Sequence, residues 1–139
     1  MASRLNPYLS FNGNARQALE FYKSIFGGEL VLNTFGSFGA PDASIADNIM
    51  HGMLEAPNGF TLMGADSPPD DPSEYNIGNG VSISLSGDDA EGLRGYWAGL
   101  SVDGTITVPL EKQMWGDEFG MLTDQFGFVW MVNIASSAA

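Results

Sequence analysis

The sequence predicts an α+β chain made of two tandem β-α-β-β-β modules, and three observations predict it. HGMLEAPNGFTLM (His51–Met63) returns 68 residues later as FGMLTDQFGFVWM (Phe119–Met131), keeping Gly, Met, Leu, a second Gly, Phe and the closing Met in order. YLSFNGNARQALEFYKSIF is echoed by VSISLSGDDAEGLRGYWAGL at an offset of 74, which pairs Leu9 with Ile83, Phe11 with Leu85, Leu19 with Leu93 and Tyr22 with Tyr96. Between the copies, DSPPDDPSEYNIGNG (Asp66–Gly80) holds three of the seven prolines and no apolar period. Self-similarity at a fixed spacing marks a duplicated unit. The modules are placed at residues 1–65 and 81–134, with a linker at 66–80 and a tail at 135–139.

Each element has a local reason. Leu5–Phe11 reads as a strand. ARQALEFYKSIF then places Ala15, Ala18, Leu19, Tyr22, Ile25 and Phe26 on one helical stripe. Asn14 is its expected N-cap, and Gly27-Gly28 its left-handed stop. ELVLNTF is a strand, and GSFGAPDASIADN (Gly36–Asn48) is an aperiodic loop long enough to serve as a lid. IMHGMLEA and FTLMGA flank a Pro57-Asn58-Gly59 hairpin turn. The second copy restarts with VSISLSGD. Its helix carries Gly92, Gly95 and Gly99, each costing about 1 kcal/mol relative to Ala, so packing of Leu93, Trp97 and Leu100 must hold it. GTITVPLE, GDEFGMLTD and GFVWMVNI are the last three strands. One helix on four strands buries a single face of a sheet, so two modules are expected to pair into one curved sheet.

Composition excludes several classes. Seventeen acidic against five basic residues leave a formal charge of −12, which repels phosphate backbones and argues against nucleic acid as a partner. No apolar run approaches the roughly 20 residues of a membrane span, and no signal peptide is read at the N-terminus. The absence of cysteine removes disulfide and thiolate chemistry and fits a cytoplasmic chain.

NPYLSFNGNARQALEFYKSIFGGEL, IMHGMLEAPNGFTLMGAD and PLEKQMWGDEFGMLTDQFGFVWMVN resemble the vicinal oxygen chelate superfamily of glyoxalase I, bleomycin-resistance proteins and extradiol dioxygenases, and within it the PhnB-like branch. The resemblance implies the glyoxalase/bleomycin-resistance fold, a half-open cup of mixed sheet with helices outside, assembled from two modules per site and often within a homodimer. It also implies a divalent metal held by one residue from the first and one from the last strand of each module. Relatives sometimes carry a methyltransferase label, but no nucleotide-binding glycine fingerprint follows a strand here.

Strand alternation locates the inward positions. Ile83 and Leu85 are expected against the helix, so Ser82, Ser84 and Ser86 face the other way, as do Tyr8 and Ser10. Large Phe60, Leu62, Phe128 and Trp130 suit the helix side, which leaves Thr61, Met63, Val129 and Met131 inward. The implied metal positions then fall near Tyr8, Met63, Ser82 and Met131. None is His, Asp or Glu, and hard divalent ions demand oxygen or imidazole ligands. No metal and no cofactor are expected.

His51, the only histidine, is the candidate catalytic residue, because imidazole exchanges protons near neutral pH. Glu55 lies on the same strand face about 13 Å away, too far to share an ion with it. Trp115 is expected at a hairpin rim. The ligand-binding set is Tyr8, Ser10, Thr61, Met63, Ser82, Ser84, Trp115, Val129 and Met131. The expected function is metal-free binding of a small apolar or planar molecule. The alternative is a divergent lyase, isomerase or dioxygenase-type enzyme, with or without a metal, acting through His51.

Overall fold

The computed structural model describes residues 3–39, 46–67 and 76–136. The chain divides into two compact units, Met1–Ile77 and Gly78–Ala139, and among the described residues each contains one α-helix and one four-stranded mixed sheet. The first runs β1 (Tyr8–Phe11), α1 (Ala15–Phe26), β2 (Glu29–Thr34), β3 (Ile49–Glu55) and β4 (Thr61–Asp66). The second runs β5 (Ile83–Gly87), α2 (Ala90–Ser101), β6 (Thr105–Lys112), β7 (Glu118–Thr123) and β8 (Val129–Ile134). The sheet orders are β1-β4-β3-β2 and β5-β8-β7-β6. In both, the first strand pairs in parallel with the last and the other pairs are antiparallel. The duplicated β-α-β-β-β plan is therefore observed.

Helix α1 spans the predicted residues. Ala15, Ala18, Leu19, Tyr22 and Phe26 are buried against its sheet, and each large side chain contributes about 1.5–3 kcal/mol by leaving water. Gly27 closes the helix at φ 74°, donating to the Lys23 carbonyl. Its start differs from expectation. Asn14 makes no side-chain cap. The carboxylate of Asp66, 51 residues on, accepts instead from the Gly13 and Ala15 amides at 2.9 Å each, and its other oxygen takes Ile49 N–H at 2.8 Å. Asp66 thus closes β4 and is 3% exposed, which corrects its expected place as a solvated linker residue. A buried carboxylate persists only where its acceptor sites are filled.

Two further boundaries move. The first strand begins at Tyr8, since Pro7 lacks an N–H and contributes only its carbonyl to Met63, while Leu5 is fully exposed. The loop after β2 opens with a 3₁₀ turn, Gly36–Phe38. The rest of the expected lid lies mostly outside the described residues.

The hairpins repeat as faithfully as the strands. Gly59 donates to Ala56 and Ala56 to Phe60; 68 residues later, Gly127 donates to Asp124 and Asp124 to Phe128. Gly59 and Gly127 hold φ of 87° and 97°, where a side chain is strained. The repeated Gly-Met-Leu also has a packing cause. A Cβ on Gly52 would stand 2.5 Å from Leu19 Cδ1, and one on Gly120 would stand 2.7 Å from the Trp97 ring and 2.9 Å from Leu110 Cα. These glycines let each helix lie close on its sheet.

Candidate functional site

In each module the helix covers one face of the sheet, and chemistry-bearing residues collect on the other. Burial alternates as expected: Leu9, Phe11, Leu62, Leu85, Trp130 and Val132 are buried, while Ser10 and Ser84 are exposed and Met63 and Met131 half-buried. Phe60 packs edge-on to Phe26, which confirms its helix-side position. The faces read from alternation are the faces observed.

On the first module's open face, Tyr8 stands beside Met63 across the parallel pair. Met63 opposes Met53, and Thr61 opposes Glu55. His51, two residues before Met53, falls on this same face opposite Asn33. It is half-buried. Its ring stacks on Tyr8 at 5.9 Å with 25° between planes, and Tyr8 Oη lies 3.4 Å from Nδ1. The two rings reach each other from β1 and β3 across β4, which presents Met63 and the small Ala65 between them. Whether phenol or ring nitrogen donates follows from the imidazole tautomer. At one end, Glu55 is paired with Arg4 at 3.1 Å.

The second module's open face carries Ser84 beside Met131, Met131 opposite Met121, and Val129 opposite Thr123. Phe119 occupies the place of His51. Trp115, on the β6–β7 turn, is 61% exposed and tilts against Phe119 at 6.3 Å. Asp117 secures that turn. Its carboxylate accepts from Asn133 Nδ2 at 3.0 Å and from Ser136 N–H at 2.9 Å, and these bonds, the Asn133 one foremost, hold its pKa below the ordinary value.

Ser82 is the exception. It precedes β5, and the residue beside Met131 is Ser84. The parallel pair of the second module is therefore set two residues away from that of the first, where Tyr8 stands beside Met63. A two-residue slip keeps every side chain on its face, so alternation could not detect it. The metal positions implied by the resemblance become Tyr8 with Met63 and Ser84 with Met131. A phenol, an aliphatic hydroxyl and two thioethers do not suit a hard or borderline divalent ion. Among the described residues no three His, Asp or Glu side chains gather as a ligand set.

Two structural carboxylates escaped the sequence reading. Asp66, bound by the Gly13, Ala15 and Ile49 amides, is one. Asp124, 3% exposed, accepts from Phe126 N–H, Phe128 N–H and Trp130 Nε1–H at 2.8, 3.1 and 2.8 Å. The signal for it was an Asp heading a four-residue turn ending in Gly.

Comparison with known proteins agrees with this architecture. Protein YjdN of Escherichia coli (strain K12) is 29% identical over 142 residues, covering 94% of each chain. The crystal structure of protein PA1353 from Pseudomonas aeruginosa superposes with a TM-score of 0.85 at 36% identity, covering 98% of this chain and all of that one. A Bacillus cereus structure described as a putative 3-demethylubiquinone-9 3-methyltransferase, PhnB protein, shares the fold at a TM-score of 0.75 and 24% identity, over 96% of this chain and 100% of that one. No helix among the described residues is long and apolar enough to cross a membrane. The family model for the Glyoxalase/Bleomycin resistance protein/Dioxygenase superfamily matches residues 4–132, and the chain belongs to that superfamily.

Proposed function

We propose that this protein binds a small apolar or planar molecule on the open faces of its sheets, without the superfamily's divalent metal or any other cofactor. The composition of those faces carries the reading. Tyr8, Ser10, His51, Thr61 and Met63 on one, with Ser84, Val129, Met131 and Trp115 on the other, combine rings and thioethers with a few hydroxyls and no Lys or Arg. Small-molecule sites have this makeup, with apolar surface for burial and a few polar groups for orientation. Met side chains adapt to flat ligands. The Tyr8–His51 pair supplies the polar anchor. Sugar phosphates would meet a net charge of −12 and no Lys or Arg side chain at these positions.

A thermal-shift screen of metal-free protein tests this. Planar aromatic compounds are expected to raise Tm and sugar phosphates to leave it unchanged. Met63→Glu should abolish the response by placing a charge in the contact surface, whereas Lys23→Glu on the outer side of α1 should not. Equal responses from both variants and wild type would place binding elsewhere. Elemental analysis is expected to find far less than one Zn, Ni, Fe or Mn per chain. Homodimer formation belongs to the same reading, and sedimentation should show twice the 14.8 kDa chain mass.

The Tyr8–His51 contact favours one second reading, a lyase or isomerase that moves a proton through His51. With the phenol within 3.4 Å of it, the His51 imidazole could take a proton from a bound carbon acid and return it to another atom of the product, since such contacts tighten when substrate binds. His51→Gln would then stop turnover while leaving ligand-induced stabilisation intact.

A further inference from the structure

The repeat preserves one feature that packing against the helices does not require. Met53 and Met63 oppose each other across β3 and β4, and Met121 and Met131 do so across β7 and β8. All four are half-buried on the faces away from the helices. Opposed residues of an antiparallel pair hold their Cβ atoms about 4.5–5.5 Å apart, so two flexible thioethers can converge on one atom. The modules differ in what stands next to the pair: His51 in the first, Phe119 in the second. Tyr8 engages His51 through Nδ1, and Nε2 has no hydrogen-bond partner among the described residues. Metal-binding imidazoles characteristically use one nitrogen for a neighbouring acceptor and ligate through the other.

We infer that His51 Nε2 and the Sδ atoms of Met53 and Met63 form a site for a soft monovalent cation, Cu(I), for which Ag(I) is the redox-inert equivalent. Thioether and imidazole donors select such ions and bind hard divalent ions poorly. In this site Tyr8 Oη accepts from Nδ1–H, fixing the tautomer that leaves Nε2 its lone pair. The set shares only Met63 with the positions implied for a divalent metal, and it lies wholly within the first module. Binding exchanges ligands on the ion without any change of oxidation state. The negative charge of the chain raises the local cation concentration. The inference does not rest on the small-molecule reading, which is tested on metal-free protein.

The test is an Ag(I) titration of the whole protein carrying ¹³C-methyl methionine and ¹⁵N-histidine. One equivalent is expected to shift the Met53 and Met63 methyl signals and His51 Nε2, leaving Met121 and Met131 in place. In anaerobic competition for Cu(I) against a chromogenic chelator, His51→Phe, Met53→Leu and Met63→Leu should each weaken retention by about tenfold or more. Met121→Leu should retain the wild-type affinity. Leu conserves volume at these positions, and the wild-type spectra report the ligands without any variant. Methyl shifts of equal size in both methionine pairs, no shift at one equivalent, or wild-type affinity in His51→Phe would each overturn the site.

Discussion

The two modules share a plan but spend their polar and glycine residues differently. The first ties distant segments together: one carboxylate, Asp66, holds the end of β4, the start of α1 and the start of β3 through three amides. The buried carboxylate of the second is local: Asp124 satisfies three donors within six residues of it. Helix α1 buries five residues, two of them aromatic, whereas α2 buries Leu93 and Leu100 and leans Trp97 over Gly120. The same topology can thus be held by a long-range polar clasp under a well-filled helix, or by a locally closed hairpin under a glycine-rich one. What the duplication conserves is the set of faces and turns.

This contrast can be broken directly. Asp66→Ala should be the most destabilising change, roughly 4 kcal/mol, because it leaves buried amides unsatisfied and frees a helix start. Asp124→Ala should follow at about 2–3 kcal/mol, since two of its three donors are amides of one turn that can relax, and only the Trp130 indole N–H is left buried on a strand. Urea melts giving Asp124→Ala the larger loss would reverse the ranking of clasp and hairpin. Gly120→Ala should lose about 2 kcal/mol against the Trp97 ring and the Leu110 backbone. Gly52→Ala should lose about 1 kcal/mol, as Leu19 meets it with the flexible end of its side chain. Equal losses at the two sites would mean that α2 shifts as easily as a leucine rotamer.

Smaller effects sharpen the same comparison. A Cβ on Gly95 meets nothing within 4 Å, so Gly95→Ala should stabilise by about 0.5–1 kcal/mol through helix propensity. A thermal melt showing no gain would mean α2 is not limited by its glycines. The smallest effect concerns Asp117. Its folded pKa is depressed below the ordinary 3.8, first by Asn133 and then by Ser136, so its stabilisation is fully present above that value and fades as pH falls through the lower folded one. Asp117→Asn should therefore flatten the acid limb of a stability profile below about pH 4 and change little near neutrality. An unchanged acid limb would show that the turn is held without its charge.

Much of this was legible in the residues. Period-2 and helical patterns located the elements and assigned faces on the first and last strand of each module, because alternation is a local consequence of backbone geometry. The duplicated turns and the stop at Gly27 were legible for the same reason. The face of His51 on β3 was not legible. A list of open-face positions was legible: Tyr8, Thr61, Met63, Ser84, Val129 and Met131 do stand away from the helices. Its grouping was not. A two-residue slip in the parallel pair leaves every face unchanged, so only the ladder distinguishes Ser84 from Ser82 as the neighbour of Met131.

What the sequence by itself determined is therefore the duplicated order of elements and the faces of the first and last strands of each module. Tertiary structure alone decided the long-range partners: Asp66 on an amide 51 residues away, and Tyr8 on His51 across an intervening strand. The physical reason is range. Propensity and periodicity act between residues a few positions apart, whereas these contacts exist only once strand order brings together groups that the chain itself holds far apart.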